Sequence, residues 1–319
     1  MAAPLLKISL HTVNNGDHSL QLQLNLHPSS SSLPFPAKFK PLPLAIRSSL
    51  PSPSPPASKE EAILQAKTSL STTLQKPLNN PKLPGKLKKL KQPRFRVEIP
   101  VNDDSPAALS QLALQVFGEM PLKTRGSPAK ILILWPNPES AEAAARAFGS
   151  RASALVEHSD IASVEARALN SAQVAVVLAP EASQLGTIET VSDGFFPKPV
   201  VIFNPRWGFD EESSFDELGR FVESFEVVYS FTGLEVRGIF SKRKGVIFKC
   251  VRDGVLSGER WVVLVEEDDG ELKVASSFKD RPSIAQVENV LYNLMAINSP
   301  ITKSAKFLKD LVSSVTGKK

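Results

Sequence analysis

Four histidines, one cysteine and scattered carboxylates are the side chains from which this 319-residue chain could build a reaction. Their positions restrict it. His11, His18 and His27 fall within the first 58 residues, which leaves His158 alone in the body. A Ser-His-Asp relay would have to use His158, and no G-x-S-x-G elbow supplies the nucleophile. Cys250 and His158 could form a nucleophile–base pair. However, Cys250 ends the run "GVIFKC", where a small buried hydrophobe is the expected role. One cysteine excludes an internal disulfide and a multi-cysteine zinc site. Neither G-x-G-x-x-G nor G-x-x-x-x-G-K-[ST] occurs, so the two commonest nucleotide fingerprints are missing. No cofactor, no metal site and no catalytic residue is expected. Asp103-Asp104 precedes a helix and Glu266 to Asp269 marks a turn, which suits capping and solvated charge better than acid–base work.

Anion binding is the next chemistry to weigh. "VVIFNPRWGFDEESSF" stops a β-branched run at Asn204-Pro205 and follows it with Arg206 and Trp207. At the carboxyl end of a parallel strand, Asn204 could offer amide hydrogen bonds, Arg206 could take an anion and Trp207 could wall the site. Arg237 in "LEVRGIF" and Arg281 in "KDRPS" could join the same pocket. The competing reading is a strand terminator: the residue before proline favours extended geometry and proline donates no hydrogen bond. Trp207 then plugs the sheet end, and Arg206 pairs with the acidic run Asp210 to Glu212.

Cations also cluster in "NNPKLPGKLKKLKQPRFR", where Leu83, Leu87 and Leu90 recur amid Lys82, Lys86, Lys88, Lys89 and Lys91. That pattern suits a segment lying on an anionic membrane, each cation contributing about 1 kcal/mol near the lipid. A solvated tether is the plain alternative. RNA contact is a third, though no aromatic side chain is interleaved for stacking before Phe95. The final stretch "ITKSAKFLKDLVSSV" carries Lys303, Lys306 and Lys309 off an apolar stripe of Ile301, Ala305, Leu308 and Val312.

The elements that must hold these side chains alternate. "EEAILQAKTSLSTTLQ" reads as a helix with Ile63, Leu70 and Leu74 on one face, and "RFRVEIP" as a strand with Phe95, Val97 and Ile99 on one face. Ser105 is a natural cap for a helix with Pro106 at its first position, burying Leu109, Leu112 and Val116. "KILILW", "QVAVVLAP" and "PVVIF" are buried strands. "ESAEAAARAF", "HSDIASVEARAL" and "SQLGTIETV" read as helices. Ser214 and Glu217 have capping-box spacing ahead of the stripe Phe215, Leu218, Val222 and Phe225. After Glu226 come "EVVYSF", "EVRGIF", "GVIFKC", "RWVVLV" and "ELKVASSF", closely spaced strands with a hairpin signal at Asp269-Gly270. Ser283 and Gln286 box the start of a helix through Val287, Leu291 and Leu294. The prediction is a three-layer α/β fold: a largely parallel sheet flanked by helices, with an antiparallel C-terminal section.

Composition divides the chain further. Residues 1–58 are rich in Ser, Pro and Leu and hold four basic side chains against Asp17 alone, which predicts a plastid transit peptide or a disordered tail. Residues 59–96 form a helix plus the basic neck, with ten basic side chains against two acidic ones. Residues 97–298 make the α/β domain and 299–319 a C-terminal amphipathic basic helix. The sequence pI of 9.2 therefore misdescribes the body, which is acidic, and no nucleic-acid partner is expected. No apolar run reaches the ~20 residues that span a bilayer.

The order "EEAILQAKTSL", "RFRVEIP", "VVIFNPRW", "VVYSFTGLEVRG" and "FKDRPSIAQVENVL" resembles a domain-of-unknown-function family of plant plastids and cyanobacteria. Its plant members include the low-PSII-accumulation factor of photosystem II assembly. The likeness runs from about Lys59 to Leu294, and Asn204, Pro205, Trp207, Arg237, Gly238, Arg281 and Pro282 match its pattern. The domain also occurs joined to an adenylate-kinase-like region, but no phosphate loop is present here and kinase activity does not carry over. The resemblance implies a non-catalytic chloroplast protein, stromal or peripheral on the thylakoid membrane. It would assist photosystem assembly, with assembly factors or subunits and an anionic thylakoid lipid surface as partners. The alternative is a stromal protein that binds, or acts on, an anionic metabolite or nucleotide at the strand carboxyl ends.

Overall fold

Continuous apolar runs separated by striped helices place a sheet at the centre, and the crossovers fix its order. A computed structural model describes residues 7–9, 54–79, 91–101, 103–152, 155–208, 210–237, 242–267 and 270–298. The elements in chain order are β1 (Lys7–Ser9), α1 (Lys59–Asn79), β2 (Arg94–Glu98), α2 (Pro106–Phe117), β3 (Lys123–Thr124) and β4 (Ser127–Pro128). There follow β5 (Ile131–Trp135), α3 (Pro138–Ala152), β6 (Val156–Asp160), α4 (Ala166–Ser171), β7 (Val174–Leu178), α5 (Leu185–Phe195) and β8 (Val200–Phe203). The chain continues through α6 (Asp216–Glu223), β9 (Glu226–Arg237), β10 (Lys242–Cys250), β11 (Trp261–Glu266), β12 (Leu272–Phe278) and α7 (Ile284–Asn298).

The sheet runs β12-β11-β10-β9-β2-β8-β7-β5-β6. From β9 to β6 every pairing is parallel, and from β9 to β12 every pairing is antiparallel. β1 pairs antiparallel with the far end of β9, Lys7 opposite Arg237. The expected three-layer α/β architecture is the one observed. On one face α1, α2 and α3 cover a cluster that includes Phe95, Val97, Ile133, Trp135, Val201 and Phe203. The opposite face carries two separate clusters. One lies under α4, α5 and α6, around Leu134, Val177 and Ile202; the other lies under α7, around Ile247, Val263 and Val287.

Local sequence explains most of the boundaries. Ser105 accepts the Ala108 N–H at 3.3 Å with Pro106 at the first helical position. Ser283 and Gln286 close a reciprocal capping box at 3.3 and 2.9 Å. α1 is no appendage: Ala66, Leu70 and Leu74 are fully buried, and Ser69 donates to Val228 O at 2.8 Å. Residues before 97 thus include a core helix and most of the central strand.

Three expectations need correction. "VEHSD" is the edge strand β6, and the helix read over it shrinks to Ala166–Ser171; only Val156 of that strand is buried, so no strand-like apolar run marks it. "EVVYSF" and "EVRGIF" are one twelve-residue strand, β9, because Thr232-Gly233-Leu234 continues the ladder against β10 without a turn. Ser214 caps nothing: a 3-10 turn occupies Glu211–Ser214, its hydroxyl donates to Glu211 O at 2.6 Å, and α6 begins at Asp216.

The transit segment lies outside the described residues except for Lys7–Ser9 and residues 54–58. So do Lys82, Lys86, Lys88 and Lys89, Gly238, and the C-terminal stretch 299–319 with Lys303, Lys306 and Lys309.

Candidate functional site

Alternate residues of a strand share a face, and β2 divides its own with unusual severity. Phe95 and Val97 point into the cluster under α1 and α2. Arg94, Arg96 and Glu98 point the other way, into the gap between the two clusters of the opposite face. There they meet charges from distant parts of the chain. Arg96 Nε lies 2.7 Å from Glu98 Oε1, and its Nη1 is paired with Glu212. Arg281 Nη2 donates to both oxygens of Glu98, at 3.2 and 3.1 Å, and its Nη1 is 3.8 Å from Glu212. Ser230 on β9 donates to Glu98 at 2.6 Å.

This seam is almost dry. The Arg96 side chain is 3% exposed and that of Glu98 13%. Burial alone would raise the Glu98 carboxyl, but the charges of Arg281 and Arg96 and the Ser230 hydroxyl outweigh it and hold the group at about 2. Burial pulls the Arg281 guanidinium down from its ordinary value, and Glu98 opposes that. Aromatic faces close the ends: Arg96 lies over Trp207, 5.9 Å from the ring centroid, and Arg281 over Trp261 at 5.3 Å. Lys249 shares Trp261 at 5.3 Å. Two guanidinium groups and two carboxylates cancel, so the seam holds its own counter-ions.

The strand carboxyl ends, where open α/β sheets bind ligands, are stitched by the protein's own side chains. Asn204, at φ 48°, uses both ends of its amide on one backbone unit: Oδ1 accepts from Ile99 N at 2.7 Å and Nδ2 donates to Ile99 O at 3.0 Å. It therefore ties β8 to the chain leaving β2. Arg206 lies 3.4 Å from Glu181 and donates to Asp104 O at 3.3 Å. Those partners replace the expected run Asp210 to Glu212, because Arg206 leaves the strand toward the β7 and β2 loops. Gln184 bridges the remaining gap, donating to Pro136 O at 2.8 Å and accepting from Glu181 N at 3.0 Å.

The structure thus brings Trp207 and Arg281 together through Arg96, Glu98 and Glu212, and sets Asn204 and Arg206 to bracing the rim. The backbone of Arg237 lies seven residues beyond Ser230 along β9, about 23 Å away. Arg96, Glu98, Glu212 and Ser230 were not foreseen. The signal was in R-F-R-V-E, a strand whose apolar alternation leaves three charges on one face.

The groups able to do covalent chemistry are held apart. Cys250 on β10 and His158 on β6 are six strand spacings apart in the sheet, about 29 Å. Burial pushes the Cys250 thiol up to about 11. Burial also lowers His158 to about 4, and its Nδ1 accepts the Trp135 indole N–H at 3.1 Å. Among the described residues, no group of three or more His, Cys, Asp or Glu is placed to hold a metal ion, and no helix is long and apolar enough to cross a membrane. An open depression of about 460 Å³ lies elsewhere, lined by Thr72, Gln75, Lys76, Asn79 and Asp253. Lys76 is already engaged there, donating to Gly254 O at 2.7 Å.

No curated protein matches the sequence. A family model, that of a domain of unknown function, DUF1995, matches residues 56–289, a span that takes in α1, the whole sheet from β2 to β12 and the start of α7. With that share of its length matched, the chain belongs to the DUF1995 family.

Proposed function

We propose that this chain is a non-catalytic auxiliary protein of the chloroplast that assists assembly of a photosystem, by binding protein partners at the thylakoid surface. The observation that carries the non-catalytic part is the state of its reactive groups. A thiol raised to about 11 and an imidazole lowered to about 4 sit six strand spacings apart in the sheet. Each is poorly poised for nucleophile or base work near neutral pH. The stitched carboxyl rim adds to this, because Asn204, Gln184 and Arg206 already spend their polar groups on neighbouring loops. The plastid and assembly parts rest on the Ser- and Pro-rich, acid-poor first 58 residues and on the family resemblance.

Fractionation of intact plastids, followed by affinity capture from solubilised thylakoids, tests the reading. Co-purification of photosystem subunits or their assembly factors is the expected result. A protein found wholly in the stroma with no such partner sinks it.

A second reading is supported by Arg206, whose side chain remains 33% exposed at the carboxyl rim. On that reading the rim holds an anionic metabolite. A ligand at a hundredfold its dissociation constant would then stabilise the protein by about 2.7 kcal/mol, and Arg206→Ala would abolish the shift.

A further inference from the structure

We propose that Lys249 is an acylation site: its side-chain amine, set on the face of Trp261, takes an acyl group from a thioester donor.

A row of side chains at one level of the sheet builds the place. Glu98 is opposite Ser230 and Ser230 is opposite Lys249. Phe248 is opposite Val262, which carries Lys249 beside Trp261, and Trp261 is opposite Phe278. Phe248 and Cys250 point into the cluster under α1. Lys249, between them in the strand, therefore points to the face that carries α7, as Ile247 and Trp261 do. Its Nζ lies 5.3 Å from the Trp261 ring centroid.

The polar groups of that row are engaged elsewhere. The Ser230 hydroxyl donates to Glu98 at 2.6 Å, and Glu98 is paired with Arg96 and Arg281. Glu226, Asp280 and Glu259 face Lys249 and favour its charged form, while Arg281 opposes it. None of the three carboxylates is within ion-pairing distance of its Nζ. Burial is the largest influence, and it pulls the ammonium down from its ordinary value.

Two other half-buried lysines supply the contrast. Burial pulls Lys198 down as well. However, its Nζ donates to Leu169 O, Asn170 O and Ala172 O at 2.9, 3.0 and 2.8 Å, and three acceptors occupy all three ammonium protons. Lys67 donates to Gln115 O at 3.3 Å. Among the described residues, Lys249 is the half-buried lysine whose Nζ has no acceptor. A desolvated ammonium without acceptors gives up its proton readily, and the free amine is a nucleophile.

The neutral amine attacks the thioester carbonyl carbon. A nitrogen–carbon bond forms, the carbon–sulfur bond breaks, and the proton lost from nitrogen ends on the departing thiolate. The product is a neutral amide. Three facing carboxylates disfavour an anionic product here, such as the carbamate that carbon dioxide would give, and leave an amide untouched.

The test treats the full chain with acetyl-coenzyme A at mildly alkaline pH and, in parallel, with trace acetic anhydride across the lysine titration range. Peptide mass spectrometry reads each lysine. Lys244 and Lys279, both exposed, serve as internal references. Lys249 should take the acetyl group from the thioester several times faster than either, and its anhydride profile should rise at lower pH than theirs. Lys198 should stay unlabelled. Thioester labelling of Lys249 no faster than that of the references overturns the proposal, and so does an anhydride profile that coincides with theirs. Labelling of Lys198 as fast as Lys249 would show that the missing acceptors are irrelevant, and overturns it too.

Discussion

The two faces of β2 bury their side chains by different means. On one, Phe95 and Val97 lie against α1 and α2, where non-directional burial rewards any shape that fills the space. On the other, Arg96 and Glu98 are buried nearly as deeply, yet Arg96 depends on Glu212 from the 3-10 turn, and Glu98 on Ser230 from β9 and Arg281 from the segment before α7. An apolar face degrades by the volume removed. A charged face degrades by the charge left behind, so deleting one partner is worse than deleting the whole set.

That contrast can be broken or sharpened by substitution. Glu98→Ala strands Arg96 and Arg281 and should cost about 3–5 kcal/mol in denaturant unfolding. Replacing Arg96, Glu98, Glu212 and Arg281 together by Met, Leu, Leu and Met should cost far less than Glu98→Ala alone. Equal costs would mean that the seam behaves like the apolar face. Phe95→Ala should also cost about 3–5 kcal/mol, with no companion substitution on the charged face restoring it.

Acid should expose the charged face alone. Glu98 is held at about 2 in the folded protein against an ordinary 4.5. A depressed carboxylate contributes stability that is complete above 4.5 and disappears as pH falls through about 2, here about 3 kcal/mol. The unfolding midpoint should drop across that window, and Glu98→Gln should flatten the drop. Asn204→Ala, which frees the Ile99 backbone, should cost about 1–3 kcal/mol. Smallest of all, Arg206→Ala should cost under about 1 kcal/mol, since its ion pairs are partly exposed.

Sequence patterns revealed what neighbours in the chain decide. The caps at Ser105 and Ser283, the stripe Leu109, Leu112 and Val116, and the apolar strands β5, β7 and β8 are all set within a few residues. β6 escaped because an edge strand with one buried residue has no periodicity to read. The seam escaped for a different reason. Arg96 lies 116 residues from Glu212, and Glu98 lies 183 from Arg281. Lone arginines in loops give no sign of which carboxylate they will reach. Asn204 was legible as a strand terminator but not as the residue whose amide replaces a strand-to-strand pairing, because Ile99 is 105 residues away.

β9 belongs to both ladders at once: Glu226 to Ser230 pairs with β2, while Tyr229 to Arg237 pairs with β10. There is consequently no point after Glu226 at which the C-terminal hairpins could be excised and the remainder left with a finished border. A protease nick within Tyr229–Ser230 would cut a strand common to two pairings. Melting followed by probes placed on β5 and on β11 should therefore register one coincident transition.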